Sequence, residues 1–130
     1  MQSTLSTFHE LLQYEMGSAE RYRRYVSLVL IHSPTDHRGL QGTVDMHARK
    51  SDGMARFDHS VALLMGETDQ SDALRAVKRY EGLLESRLEA RYAVATYPVD
   101  GTAPEGLMAV AERRMCKAKS QHSGHVAYQD

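Results

Sequence analysis

The stretch Tyr25-Val26-Ser27-Leu28-Val29-Leu30-Ile31 is apolar at almost every position, rich in β-formers, and shows no alternation with polar residues. A strand with one solvated face alternates, whereas a strand covered on both faces reads as a continuous apolar run. The run is far too short to cross a bilayer as a helix, so burial inside a folded chain is its only outlet. It stops at Ser33-Pro34, where proline has no N–H to give to a ladder. A central strand of this kind demands sheet neighbours and covering helices, and the remaining sequence has to supply them.

It does so in alternation. From about Leu5 to Tyr22, the residues Leu5, Phe8, Leu12, Met16 and Ala19 recur near helical spacing with charges between them. Leu40 to Ala48 reads as a short helix. Gly53 to Phe57 and Val61 to Met65 are two apolar runs separated by Asp58-His59-Ser60, the pattern of a β-hairpin, and Gly66 closes the second. A strong helix follows, capped by Asp69 or Ser71, with Ala73, Leu74, Val77, Tyr80, Leu83, Leu84 and Leu88 on one face. Tyr92 to Thr96 is a short strand ended by the turn Tyr97-Pro98-Val99-Asp100-Gly101. Pro104 opens a last helix with Glu105 in its first turn and Leu107, Val110, Ala111, Met115 and Ala118 inward, running to about Lys119. Val126 to Tyr128 adds an edge strand. The expectation is an α/β (α+β) fold, a mostly antiparallel mixed sheet of about five strands flanked by helices. Without repeats, low-complexity tracts or a linker, residues 1–130 read as one domain.

Charge removes several classes of function. Sixteen basic residues against 17 acidic give a net charge of −1, so nothing draws the chain globally to nucleic acid or anionic lipid. No membrane segment is expected, and Met1-Gln2-Ser3-Thr4 has neither the basic start nor the apolar core of a secretory signal. Cys116 alone excludes an internal disulfide, which suits a cytoplasmic location.

The residues themselves sharpen the fold. Glu15-Met16-Gly17-Ser18-Ala19-Glu20-Arg21-Tyr22-Arg23-Arg24-Tyr25-Val26-Ser27-Leu28 resembles the helix-to-first-strand entry of GGDEF (diguanylate cyclase) domains. Arg49-Lys50-Ser51-Asp52-Gly53-Met54-Ala55-Arg56-Phe57 is similar to the segment leading into their signature hairpin. Tyr97-Pro98-Val99-Asp100-Gly101, Leu107-Met108 and the run Ala111 to Lys119 resemble the turn and closing helix of that family. The resemblance implies the palm-like architecture shared by nucleotide cyclases and polymerase palms.

It also shows what this chain lacks. In a working family member two GTP molecules meet across a dimer, while carboxylates at the end of the first strand and in the hairpin hold divalent metal ions. Here the strand ends Ile31-His32-Ser33-Pro34, and the signature positions fall on Asp58, His59, Ser60, Val61 and Ala62. Both glycines are replaced, and the acidic pair becomes Ser60-Val61. No metal, cofactor or catalytic residue is expected on this reading, only a non-catalytic descendant of a cyclase.

Arg49-x-x-Asp52 stands where many diguanylate cyclases carry the RxxD inhibitory motif. The resemblance implies a site for cyclic di-GMP, with arginine on phosphate or guanine and aspartate on guanine N–H groups. Arg75 or Arg79 on the following helix supplies a second cation, and sequence does not choose between them. Lys119 matches a family lysine that contacts substrate phosphate. A bare surface ion pair is the competing account of Arg49 and Asp52, and an ordinary tight turn that of Asp58-His59-Ser60.

The histidines lack ligand spacing. His122 and His125, the one close pair, read as a surface pair rather than a zinc site. Cys116 reads as a small buried hydrophobe. Three roles stay open: a cyclic di-GMP sensor that relays to a partner protein, a protein-interaction or homodimerisation module that binds no nucleotide, and an active cyclase with unusual ligands.

Overall fold

The computed structural model describes residues 5–57, 59–84 and 88–129. In chain order the elements are α1 (Leu5–Tyr22), β1 (Val26–His32), α2 (His37–His47), β2 (Gly53–Phe57), β3 (Ser60–Gly66), α3 (Gln70–Leu84), β4 (Arg91–Tyr97), α4 (Pro104–Lys119) and β5 (Val126–Ala127). The sheet order is β2-β3-β1-β4-β5, with β1 antiparallel to both neighbours and β5 parallel to β4. The expected mixed, mostly antiparallel sheet with flanking helices is what the chain forms.

Each face of the sheet carries its own core. On one face Leu28, Leu30, Leu64 and Ala95 pack with Phe8, Leu12 and Met16 of α1 and Leu107, Ala111 and Met115 of α4. On the other, Val29, Ile31, Val61, Leu63 and Val94 pack with Leu40 and Val44 of α2 and Val77, Tyr80 and Leu84 of α3. Burial on both faces explains the unbroken apolar run of β1 in a sheet that is largely antiparallel. Register locks it: Leu28 stands opposite Leu64 on one side and Ala95 on the other. A slip of one residue would exchange the two cores.

Boundaries differ from the sequence reading where side chains cap. α2 starts at His37, ahead of Leu40, because Asp36 accepts the Gly39 N–H at 2.9 Å. Asp69 rather than Ser71 caps α3, accepting the Asp72 N–H at 2.9 Å. Ala73, Ala76, Val77, Tyr80 and Leu84 take its inner face. Leu74, Leu83 and Leu88, expected there, are only partly buried against it. Cys116 is exposed, because the buried line of α4 runs through Leu107, Ala111, Arg114, Met115 and Ala118.

Arg114 is the surprise on that line. Its Nη1 donates to the Val94 carbonyl at 2.8 Å and its Nη2 to Asp100 Oδ1 at 2.9 Å, while Asp100 Oδ2 accepts the Thr96 N–H at 2.8 Å. The turn after β4 is thereby tied to both strand and helix. A Cβ on Gly101 in that turn would sit 3.0 Å from the Leu107 backbone nitrogen, so glycine fits the close approach. The Arg114 and Asp100 side chains are 4% and 10% exposed. Removing one charge from such a pair leaves the other buried without compensation. Asp100→Asn is expected to lower stability by about 3 kcal/mol, read from the midpoint of urea unfolding followed by circular dichroism.

Candidate functional site

The turn between α2 and β2 presents Arg49 and Asp52. Asp52 Oδ2 accepts the Arg49 backbone N–H at 2.9 Å, Oδ1 accepts Arg49 Nε at 3.1 Å, and the Asp52 N–H returns to the Arg49 carbonyl at 3.0 Å. The Asp52 side chain is 1% exposed and that of Arg49 is 51% exposed. Both carboxylate oxygens accept hydrogen bonds from the arginine. Arg49 Nη2 donates to Thr68 Oγ1 at 3.1 Å. Thr68 is fixed in turn, its carbonyl accepting from the buried Ser27 hydroxyl at 2.8 Å and its hydroxyl donating to the Gly66 carbonyl at 2.9 Å. Ser27 also meets Thr96 Oγ1 at 2.9 Å, so the arginine is braced through β1 to β4. Arg49 Nη1 has no partner among the described residues.

A cleft of about 150 Å³ opens beside it, lined by Arg49, Thr68, Glu67, Asp72, Ala76 and Arg79. Of the two candidate helix cations, Arg79 joins this cleft. Arg75 turns away to Asp72 at 2.8 Å and is 75% exposed. Arg79 lies 5.4 Å from the ring centre of Tyr80. The Tyr80 hydroxyl is buried with no hydrogen-bond partner in normal geometry among the described residues. Burial raises its pKa above the ordinary tyrosine value, and the Arg79 guanidinium opposes the rise.

The signature positions lie at the other end of β1. Asp58 is outside the described residues. His59 is exposed in the turn, while Ser60, Val61 and Ala62 begin β3 and are buried. Register sets His32 opposite Ser60 and Arg91. His32 Nδ1 and Ser60 Oγ are 3.0 Å apart, and the His59 ring meets His32 edge-on at 6.4 Å. Val61 faces the α2–α3 core and Ala62 the α1–α4 core. Among the described residues this end presents imidazole, hydroxyl and hydrocarbon, whereas magnesium takes hard oxygen ligands. Burial lowers the His32 pKa below its ordinary value, and the positive charges of Lys119, His59 and Arg91 add to this.

A wider cleft of about 560 Å³, beside the β4–β5 edge, is lined among the described residues by Glu81, Leu88, Ala90, Tyr92 and the turn His122-Ser123-Gly124. His122 and His125 stack edge-on with ring centres 5.5 Å apart, and His122 Nδ1 lies 2.9 Å from the Ser123 carbonyl. Among the described residues no three histidine, cysteine or carboxylate side chains converge to hold a metal. None of the described helices is long and apolar enough to cross a membrane.

Thr68 and Glu67 are the site residues that sequence reasoning missed. Only the turn signal of Gly66 pointed toward them.

No protein-family model matches the sequence, and no curated protein is detectably similar to it. Solved structures are similar in fold. The GGDEF domain of TpbB (YfiN) from Pseudomonas aeruginosa superposes with a TM-score of 0.86 at 19% identity, covering 99% of this chain and 91% of that one. The FimX GGDEF domain from the same organism gives 0.84 at 18% identity, over 98% of this chain and 94% of that one. The GGDEF domain of DgcB from Caulobacter crescentus, solved in complex with cyclic di-GMP, gives 0.77 at 12% identity, over 98% and 88%. The chain thus has the GGDEF-domain fold.

His32 gives this end of β1 a measurable signature. A histidine whose folded pKa lies below its unfolded value of about 6.5 contributes stability above that pH and loses it as pH falls through the folded pKa. Acidification from pH 7.5 to 5.5 is expected to lower the urea midpoint less in His32→Gln than in the wild-type protein.

Proposed function

We propose that the chain is a cyclic di-GMP-binding signalling domain without cyclase activity, which passes the bound state to a partner protein. The observation that carries this reading is the half-exposed guanidinium of Arg49, braced by Asp52 and Thr68 and joined by Arg79 in one cleft. Guanidinium groups offer planar, paired N–H donors that match phosphate oxygens or the Hoogsteen edge of guanine. A braced arginine has less side-chain freedom to lose on binding than an unbraced one. The complex of the DgcB domain with cyclic di-GMP supports the choice of ligand.

Inactivity as a cyclase is inferred from the other end of β1. His32 Nδ1 and Ser60 Oγ hydrogen-bond to each other, and Val61 is buried hydrocarbon. Such a set gives little with which to neutralise the charge of a triphosphate, the task metal ions perform in phosphoryl transfer. The exposed Tyr14 and Tyr22 of α1, 67% and 62% accessible, favour a second reading in which the domain is an interaction or dimerisation module.

Calorimetry separates these. Cyclic di-GMP is expected to bind with micromolar or tighter affinity, and Arg49→Ala to abolish binding; no heat at high protein concentration would eliminate the sensor. Incubation with GTP and magnesium is expected to yield no dinucleotide, and its accumulation would overturn the claim of inactivity.

A further inference from the structure

Asp52 already has a partner in this structure. Its side chain is 1% exposed, and both oxygens hold Arg49. Three carboxylates share clefts with Arg49: Glu15, Asp72, which Arg75 holds, and Glu67, whose side chain is 65% exposed. Glu67 and Arg49 together line two clefts, the one shared with Arg79 and a second of about 340 Å³ where α1, the entry to β1 and the end of β3 meet. Tyr14, Ser18 and Tyr25 bound this second cleft.

The backbone places Glu67 there at a cost. Its φ is +52°, left-handed and unfavourable for a residue with a Cβ. Non-glycine residues held in that region cluster at ligand clamps, where the surroundings enforce them. Here Arg24 pairs with Glu67 Oε1, and the following residue is tied down by the Thr68 N–H to Tyr25 carbonyl bond at 3.2 Å. Oε2 has no partner among the described residues.

The chemistry of the cleft fits one base. Guanine presents N1–H and the N2 amino group side by side, two donors for a carboxylate, while adenine presents a lone pair at N1. Tyr14 and Tyr25, 67% and 46% exposed, offer aromatic faces for stacking, and Arg49 Nη1 is available to phosphate or the Hoogsteen edge.

We propose that Glu67, not Asp52, is the carboxylate that reads the guanine edge of the cyclic dinucleotide, with the base in the cleft bounded by Tyr14 and Tyr25. Asp52 is a positioning residue that acts through Arg49. This assignment rests on the cyclic di-GMP reading above.

Titration of the full chain and its variants with cyclic di-GMP and cyclic di-AMP tests it. The wild-type protein is expected to prefer the guanine compound. Glu67→Gln should weaken cyclic di-GMP binding by roughly tenfold or more and narrow the preference over cyclic di-AMP. Asp52→Asn should weaken binding of both while keeping the preference, which separates positioning from reading. Tyr14→Ala, at an exposed site that leaves folding intact, should also weaken binding roughly tenfold and carries the test if Glu67→Gln proves unfolded. Wild-type affinity in both Glu67→Gln and Tyr14→Ala, with binding still abolished by Arg49→Ala, would overturn this inference and leave the ligand reading standing. Absence of binding to the wild-type protein would sink both.

Discussion

Everything in this molecule is referenced to β1, seven residues hydrogen-bonded along both edges and buried on both faces. Antiparallel pairing to β3 and β4 satisfies its backbone, and two separate apolar cores press on it from either side. Backbone polar groups buried this deeply must be paired, so the register of the three strands is strongly specified. Whatever chemistry the domain performs is mounted at the two ends of that strand.

The two ends differ in chemistry. At the entry to β1, Ser27 reaches from the strand to Thr68 and Thr96, and Thr68 holds Arg49. Polar side chains there are braced against one another yet leave donors and a carboxylate oxygen facing solvent. At the exit, His32 and Ser60 bond to each other, with Lys119, His59 and Arg91 adding positive charge around them. On the proposed reading, the first end recognises an anion with a base attached. The second presents imidazole and hydroxyl among its described residues.

The fold was largely legible in the chain because burial on both faces writes itself as apolar runs. α1 begins and ends where its periodicity places it, and β2 and α4 match their predicted bounds. What stayed hidden was which polar groups are spent on each other. Asp52 was legible as half of a motif, and only the fold shows both of its oxygens accepting from Arg49. Arg75 and Arg79 lie one helical turn apart and are equivalent by spacing, yet Asp72 takes the first and leaves the second to the cleft. Arg114 was invisible because an arginine on a helix reads as solvated until its partners at Val94 and Asp100 are known. Glu67 carried no motif; its importance arises from a left-handed backbone after Gly66.

The most direct test of the claim that the cyclase metal site is gone is paramagnetic. Manganese added to isotope-labelled protein with a non-hydrolysable GTP analogue would broaden nearby amide signals if side chains held the ion at the strand end. The expected result is no selective broadening at Ile31, His32, Ser60 and Val61 at manganese concentrations equal to the protein. Selective loss of those signals, reversed by a chelator, would contradict it.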